Sequence, residues 1–306
     1  MKFGNLFLWS AAAVFLLLLF SAGAQAAEHP NLYTYKVGAF QVSLLSEGQS
    51  DGSGSNLIGA DEAAMKKYVF GADGTYPTAV NAFLVRTPER LILVDAGFGR
   101  ALFSNLKSLG VEPEQIDAVL LTHMHGDHIG GLLIDGKAAF PKADLYLARQ
   151  ERDYWTSGEI MKTFPEDRQG GFKNAQKALE AYGEAVRTFE PSELNSDHEP
   201  LLPGIAAIAA FGHTPGHTLY MVESEGAKLL IWGDLTHAMS IQMPIPQVAM
   251  TYDVDPQMAV ASRLAVLKYV TDGKGKIPVA GMHIPYPGIG EVAPDPAGGY
   301  QFTPAP

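Results

Sequence analysis

Short apolar runs that stop abruptly at glycine, histidine or aspartate recur along this chain. Ala118–Leu121 is unbroken in its apolar character, the mark of a buried strand, and it halts at Thr122-His123-Met124-His125-Gly126-Asp127-His128. Leu91–Val94 runs into Asp95-Ala96-Gly97, and Gly204–Phe211 runs into Gly212-His213-Thr214-Pro215-Gly216-His217-Thr218. Lys228–Trp232 runs into Gly233-Asp234, and Lys276–Ala280 into Gly281-Met282-His283. Upstream, Tyr33–Val37 and Phe40–Leu45 flank Gly38-Ala39 like the arms of a hairpin, and Ala79–Arg86 turns through Thr87-Pro88-Glu89-Arg90 into Leu91–Val94. Ser46–Ser55, rich in Gly, Ser and Asp, reads equally as a surface excursion or a contributor to a site. A short helix with Asp61 as its cap is expected over Asp61–Tyr68. Helices are also expected at about 100–109, over Asn174–Phe189, where Ala178, Ala181, Tyr182 and Ala185 fall at helical spacing, and at about Pro256–Val270. This mixture of strands and helices places the chain in the α/β class. Pro191–Pro203, polar and bounded by prolines, is the expected seam between halves of about 27–190 and 200–306 within a single domain, 27–306.

The first residues belong to a different pattern. Met1-Lys2 is followed by an apolar run of about ten residues, Ala11–Phe20, and then by Ala24-Gln25-Ala26, a small-x-small cleavage signature. Residues 1–26 are therefore expected to be a secretory signal peptide, too short in its apolar run for a membrane span. The mature chain is expected to be exported, in a bacterial periplasm, with no membrane contact after cleavage. Its 306 residues, 47% hydrophobic and 18% charged, are ample for a large core. With 22 Lys+Arg against 33 Asp+Glu, the net charge of −11 disfavours a polyanionic partner, so nucleic acid is not expected. There is no cysteine. Disulfides, thiolate nucleophiles and thiolate metal ligands are excluded together, and a metal would have to rest on His and carboxylates.

The run 123–128 carries that chemistry. His123 and His125 lie two apart and project to one side of an extended backbone. Gly126 lets the chain turn and brings Asp127 and His128 to a second point nearby. Three imidazoles and a carboxylate are too many for one catalytic ion that must keep an open position, so the spacing points to a pair of divalent ions. Zinc suits these ligands best, with manganese, iron and cobalt also compatible.

Together these strand-end motifs resemble the metallo-β-lactamase superfamily, over essentially the whole mature chain. The resemblance implies an αβ/βα sandwich with the metal site at one edge, between two sheets. It implies His123, His125 and His217 around one ion and Asp127, His128 and His283 around the other, with Asp234 bridging both. Asp95 would support the ligands by hydrogen bonding. Gly212–Thr218, Val222-Glu223-Ser224-Glu225-Gly226, Gly233-Asp234-Leu235 and Pro287-Gly288-Ile289-Gly290 most resemble the methyl parathion hydrolase and lactonase group. The activity implied is hydrolysis of small neutral or apolar lactones and esters by a hydroxide held between two ions, with organophosphate triesters as further substrates. Asp127 and Asp234 are the carboxylates expected to act in catalysis. His237 stands where acyl-homoserine lactonases commonly carry a tyrosine, three residues after the bridging Asp, which sets this chain apart from them. His237, Trp155, Phe172, Tyr154 and Tyr286 are the expected pocket residues, with Phe164, Met239, Ile241 and Met243 as further candidates. His29, His198 and His213 are expected not to be ligands. The alternatives are a β-lactamase, which Asp234 argues against, and a metal-binding protein lacking catalysis. Relatives imply a homodimer.

Overall fold

In the computed structural model of the chain, residues 31–69, 74–272 and 276–306 are described, together with Met1; the rest of the expected leader lies outside them. Two seven-stranded mixed sheets form the centre. The first runs, in spatial order, Leu32–Val37, Phe40–Ser53, Thr75–Arg86, Leu91–Val94, Ala118–Leu120, Asp144–Ala148 and Val186–Phe189. The second runs Pro200–Leu202, Ile205–Ala209, Thr218–Ser224, Ala227–Ile231, Val279–Ala280, Ile289–Pro294 and Tyr300–Pro304. The Leu91–Val94, Ala118–Leu120 and Asp144–Ala148 strands are parallel neighbours, as are Ala227–Ile231 and Val279–Ala280. The loops that follow them therefore emerge on a common edge.

Side-chain alternation divides each strand between two cores. Ile92, Val94, Ala118 and Leu120 face the second sheet and meet Tyr220, Val222, Leu229 and Ile231. Leu93, Val119, Leu145 and Leu147 face the other way, onto the Leu102–Ser108, Arg149–Thr156 and Gly170–Tyr182 helices. On the far side, Val266, Leu267 and Val270 of the Pro256–Asp272 helix cover Leu219, Leu230 and Val279. The result is the αβ/βα sandwich that the resemblance implied. Each fully buried Leu, Ile or Val contributes about 1.5–3 kcal/mol to holding these layers together, so the strand ends are a rigid platform.

Two local expectations are corrected. Ser46–Ser53 is a continuation of the Phe40–Ser53 strand, paired with Thr75–Arg86 across a bulge at Ser46/Gly48. Backbone pairing to a long neighbour outweighs the weak strand propensity of Gly, Ser and Asp. The helix expected to reach Phe189 ends at Tyr182, and Val186–Phe189 forms an edge strand parallel to Asp144–Ala148. Gly183, at φ 49°, breaks the helix within a pattern whose alanines suited its continuation. Asp61 does cap its helix, accepting from the Ala64 N–H at 2.7 Å.

Candidate metal centre

At the common edge, Asp95 is the first side chain fixed. It sits at φ 57°, an uncommon backbone region for a residue with a Cβ. Its N–H donates to the Leu120 carbonyl, and its buried carboxylate accepts from the Thr122 N–H (2.7 Å), the Thr122 hydroxyl (2.6 Å) and His128 Nδ1–H (2.6 Å). Burial raises its carboxyl above the ordinary value, and these donors only partly pull it back. The Thr122 hydroxyl, spent as a donor on Asp95, accepts from His123 Nδ1–H at 3.0 Å. One chain of hydrogen bonds thus orients both His123 and His128, leaving the Nε2 lone pair of His123 aimed inward.

Beyond Asp95, the described residues gather ligand atoms in overlapping groups. His123, His125, His213 and Asp234 form one; Asp127, His128 and His283 form another; and Asp234, His237 and His283 form a third, with atoms in each group lying within 4.8 Å of one another. In the first, His125 Nδ1 lies 3.0 Å from both His123 Nε2 and His213 Nε2, which are 3.2 Å apart. Asp234 Oδ2 completes the group at 3.2 Å from His213 and 3.5 Å from His123. A tetrahedral zinc site with bonds of about 2.0–2.1 Å has ligand–ligand edges of about 3.3 Å. These edges match it.

The protons make the same point. His213 Nδ1–H donates to Asp253 Oδ1 at 2.7 Å, and His283 Nδ1–H to the Ala79 carbonyl at 2.7 Å, so each of these rings, when neutral, turns an unprotonated Nε2 toward Asp234. His128 Nε2 and Asp234 Oδ1 are 3.1 Å apart, yet both are buried with no hydrogen-bond partner. With these rings neutral, lone pairs face lone pairs in a buried space, which calls for a positive charge between them, a proton or a metal ion. Burial alone would raise Asp234, but the imidazoles of His128, His283, His123 and His237 hold its carboxyl well below the usual range. Burial opposes charge on His213, yet the hydrogen-bonded Asp234 and Asp253 hold it up at about 9. Burial pushes His125 down to about 3, helped by the charge on His213.

His217 is not part of this group, contrary to expectation. Its Nδ1–H donates to the Ala210 carbonyl at 3.0 Å, and its Nε2 accepts the Asp234 N–H at 2.9 Å, so neither nitrogen is free for an ion. Gly233, at φ 56°, allows that approach: a Cβ there would lie 2.5 Å from His217 Nε2. His213, expected not to be a ligand, takes the place. The two histidines are four apart after one strand, and nothing in their spacing ranks them. Asp253, which orients His213 and also accepts the Met250 N–H at 2.8 Å, was not anticipated, because it lies forty residues further on in an unremarkable loop.

The cleft over the cluster holds about 370 Å³ and is lined by His125, Gly126, Asp127, Asp234, His237, Tyr252 and His283. A larger groove of about 870 Å³, walled by Lys228, Lys268 and Lys276 among others, shares none of these residues and gathers no histidine. His237 does face the cleft, donating through Nε2 to Asp234 Oδ2 at 2.9 Å and packing edge-on to Tyr252. The expected aromatic wall does not. Trp155 and Phe172 are buried in the core beneath the first sheet, with Tyr154 and Phe164 packed against them; Trp155 reaches the site only from behind, its ring edge-on to His125 at 5.6 Å. Their apolar surface is better hidden under the helices than exposed in the cleft. Tyr286 is exposed and packs on Tyr33. Ile241 and Met243 are core, and Met239 opens onto a different surface groove. His198 stands outside all three groups, and His29 lies outside the described residues.

Two sheets between helices, with clustered His and Asp at one edge, define a class of metal-dependent hydrolases. The chain belongs to the metallo-beta-lactamase superfamily, whose family model matches residues 75–281. Among solved structures it is similar to the hydrolase AbOPH of the beta lactamase superfamily, at 31% identity over 90% of this chain and 98% of that one, with a TM-score of 0.80. It is similar also to AidC, a dizinc quorum-quenching lactonase, at 28% identity over 90% of this chain and 98% of that one, with a TM-score of 0.79. A curated relative, the exodeoxyribonuclease WalJ of Streptococcus pneumoniae, is 43% identical over 53 residues, 17% of this chain and 20% of that protein. The matched stretch spans 20% of WalJ and 58% of an N-acyl homoserine lactonase from a Bacillus species, less than two thirds of either protein.

Proposed function

We propose that this protein is an exported, binuclear hydrolase of small neutral lactones and esters, with phosphotriesters as a second substrate class. The observation that carries the reading is Asp234, whose Oδ2 faces His123, His213 and His283 while its Oδ1 faces His128. His123, His125 and His213 would hold one ion, Asp127, His128 and His283 the other, and Asp234 would join them, with zinc favoured by the imidazole-rich set. Divalent ions held there supply Lewis acidity and a water acidic enough to ionise near neutral pH. The chain's own residues do the rest. Asp95, Thr122 and Asp253 fix the ring planes, so no reorganisation is needed when substrate arrives. Asp127, half-buried at the cleft, turns Oδ2 toward His128 and His283 and leaves its other oxygen to take a proton from the attacking water. His237 and the Tyr252 ring border the space that substrate would enter. No Lys or Arg lines the cleft among the described residues, which favours a neutral substrate over a polynucleotide or a phosphate monoester. The likeness to AidC supports the lactone class.

A hydrolysis panel tests the reading: γ- and δ-lactones, an aryl ester, a phosphotriester and a cephalosporin, each with the zinc-loaded and the chelated protein. Turnover of lactones or esters that needs the metal is the expected result. Turnover of the cephalosporin alone would sink the substrate class, and a chain that takes up fewer than two ions would sink the binuclear centre. The export and homodimer proposals are checked by periplasmic fractionation and by light scattering.

A further inference from the structure

Glu151 lies in the first turn of the Arg149–Thr156 helix, carries a carboxyl, and is completely buried. No Lys or Arg pairs with it among the described residues. Its Oε1 accepts the Met124 N–H at 2.8 Å and Trp155 Nε1–H at 2.6 Å, and its Oε2 accepts the Gly216 N–H at 2.9 Å. Met124 separates His123 from His125, and Gly216 stands three residues past His213. The carboxylate thus bridges the two backbone segments that carry all three imidazoles of the first ligand group. The fit is close: a Cβ on Gly216 would lie 2.3 Å from the Glu151 nitrogen, so the His213 loop is pressed against the start of this helix. Glu151 accepts no hydrogen bond from Asp127, His128 or His283.

A buried carboxylate is costly unless donors satisfy it, and here three N–H groups converge on a group that only accepts. We propose that Glu151 is a positioning residue for the first ion, locking the His123–His125 segment and the His213 loop at the separation that ion requires. The proposal rests on the binuclear reading above. It makes the two ion positions unequal in a way their direct ligands do not: the first depends on a carboxylate touching no ion, and the second does not.

Glu151→Gln isolates the effect. An amide can keep an oxygen toward Met124 and Trp155 only by turning its NH₂ against the Gly216 N–H, which breaks the backbone bond from the His213 loop. Zinc affinity at each step is measured by chelator competition on the full chain, with no substrate present. The expected result is one ion held as in the wild type and the other weakened at least tenfold. In combination, the change adds almost nothing to His213→Ala, which already vacates the first position, and weakens the remaining tightly held ion of His283→Ala by the same tenfold or more. Leu106→Ala, a core truncation in the Leu102–Ser108 helix that bears no ligand, serves as a control for lost stability: both ions should stay within about threefold of the wild type. Equal weakening of both ions by Glu151→Gln, or weakening of neither while thermal stability falls, would make Glu151 a structural brace and overturn the proposal alone. Failure of the wild type to bind a second ion would overturn the binuclear reading and this proposal with it.

Discussion

Truncating His213 and His217 in turn separates two residues that the sequence treats alike. His213→Ala removes a ring nitrogen 3.0 Å from His125 Nδ1 and 3.2 Å from both His123 Nε2 and Asp234 Oδ2, leaving the first ion two imidazoles and a shared carboxylate. Losing a partner that merely orients a ligand costs about 10–100-fold in metal affinity. Loss of the ligand itself should therefore exceed about 100-fold, or about 2.7 kcal/mol. Asp253 keeps the Met250 N–H, so the fold loses one buried hydrogen bond there, about 1–3 kcal/mol for the group left unpaired. His217→Ala removes hydrogen bonds to the Ala210 carbonyl and from the Asp234 N–H and opens a cavity behind the cluster. Its cost falls on folding, about 2–5 kcal/mol. Metal content after dialysis, chelator competition and urea unfolding on both variants give the answer. The expected pattern is His213→Ala with one ion and modest destabilisation, and His217→Ala with two ions and a clearly lower unfolding midpoint. Retention of both ions by His213→Ala, with loss of one by His217→Ala, would refute the assignment.

Asp253→Asn should weaken the first ion by about 10–100-fold and leave the second unchanged, because the amide cannot accept from both His213 Nδ1–H and the Met250 N–H; an unchanged two-step zinc titration would count against it. Metal uptake should release protons. His213 is held at about 9, so in the metal-free protein it carries a proton at pH 7 that an incoming ion displaces; His128 and His283, held against burial above the ordinary imidazole value by the carboxylates of Asp234 and Asp127, add to the release. Zinc affinity should accordingly rise with pH up to about 9, and calorimetry in buffers of differing ionisation enthalpy should show the release; heats independent of buffer would contradict it. The stability of the metal-free chain should run the other way. A folded pKa above the unfolded value of about 6.5 stabilises fully below that pH and is lost as pH rises through about 9, so urea midpoints at pH 9.5 should lie below those at pH 6.5.

Much of this was written along the chain. Apolar runs of strand length fixed which segments would be buried, and the break in each run at Gly, Asp or His marked where the backbone leaves the sheets. Two histidines two residues apart, then a glycine, an aspartate and a third histidine, marked a cluster of metal-ligating groups from purely local geometry. What was not legible depends on partners distant in sequence. Ser46–Ser53 became strand because Thr75–Arg86 lies beside it, and the alanine-rich run ahead of Phe189 ended early because Gly183 turned it and Asp144–Ala148 offered an edge. Trp155 and Phe172 carry apolar surface that serves a cleft or a core equally well, and only the packing of helices on the first sheet decided for the core. Which of His213 and His217 joins the cluster depends on which ring nitrogens remain free. Ala210 and the Asp234 N–H occupy one ring completely, while Asp253, forty residues beyond the other, takes a single proton and turns its lone pair inward. Sequence determines which groups are available to bind an ion; hydrogen bonds made across the fold determine which of them face it.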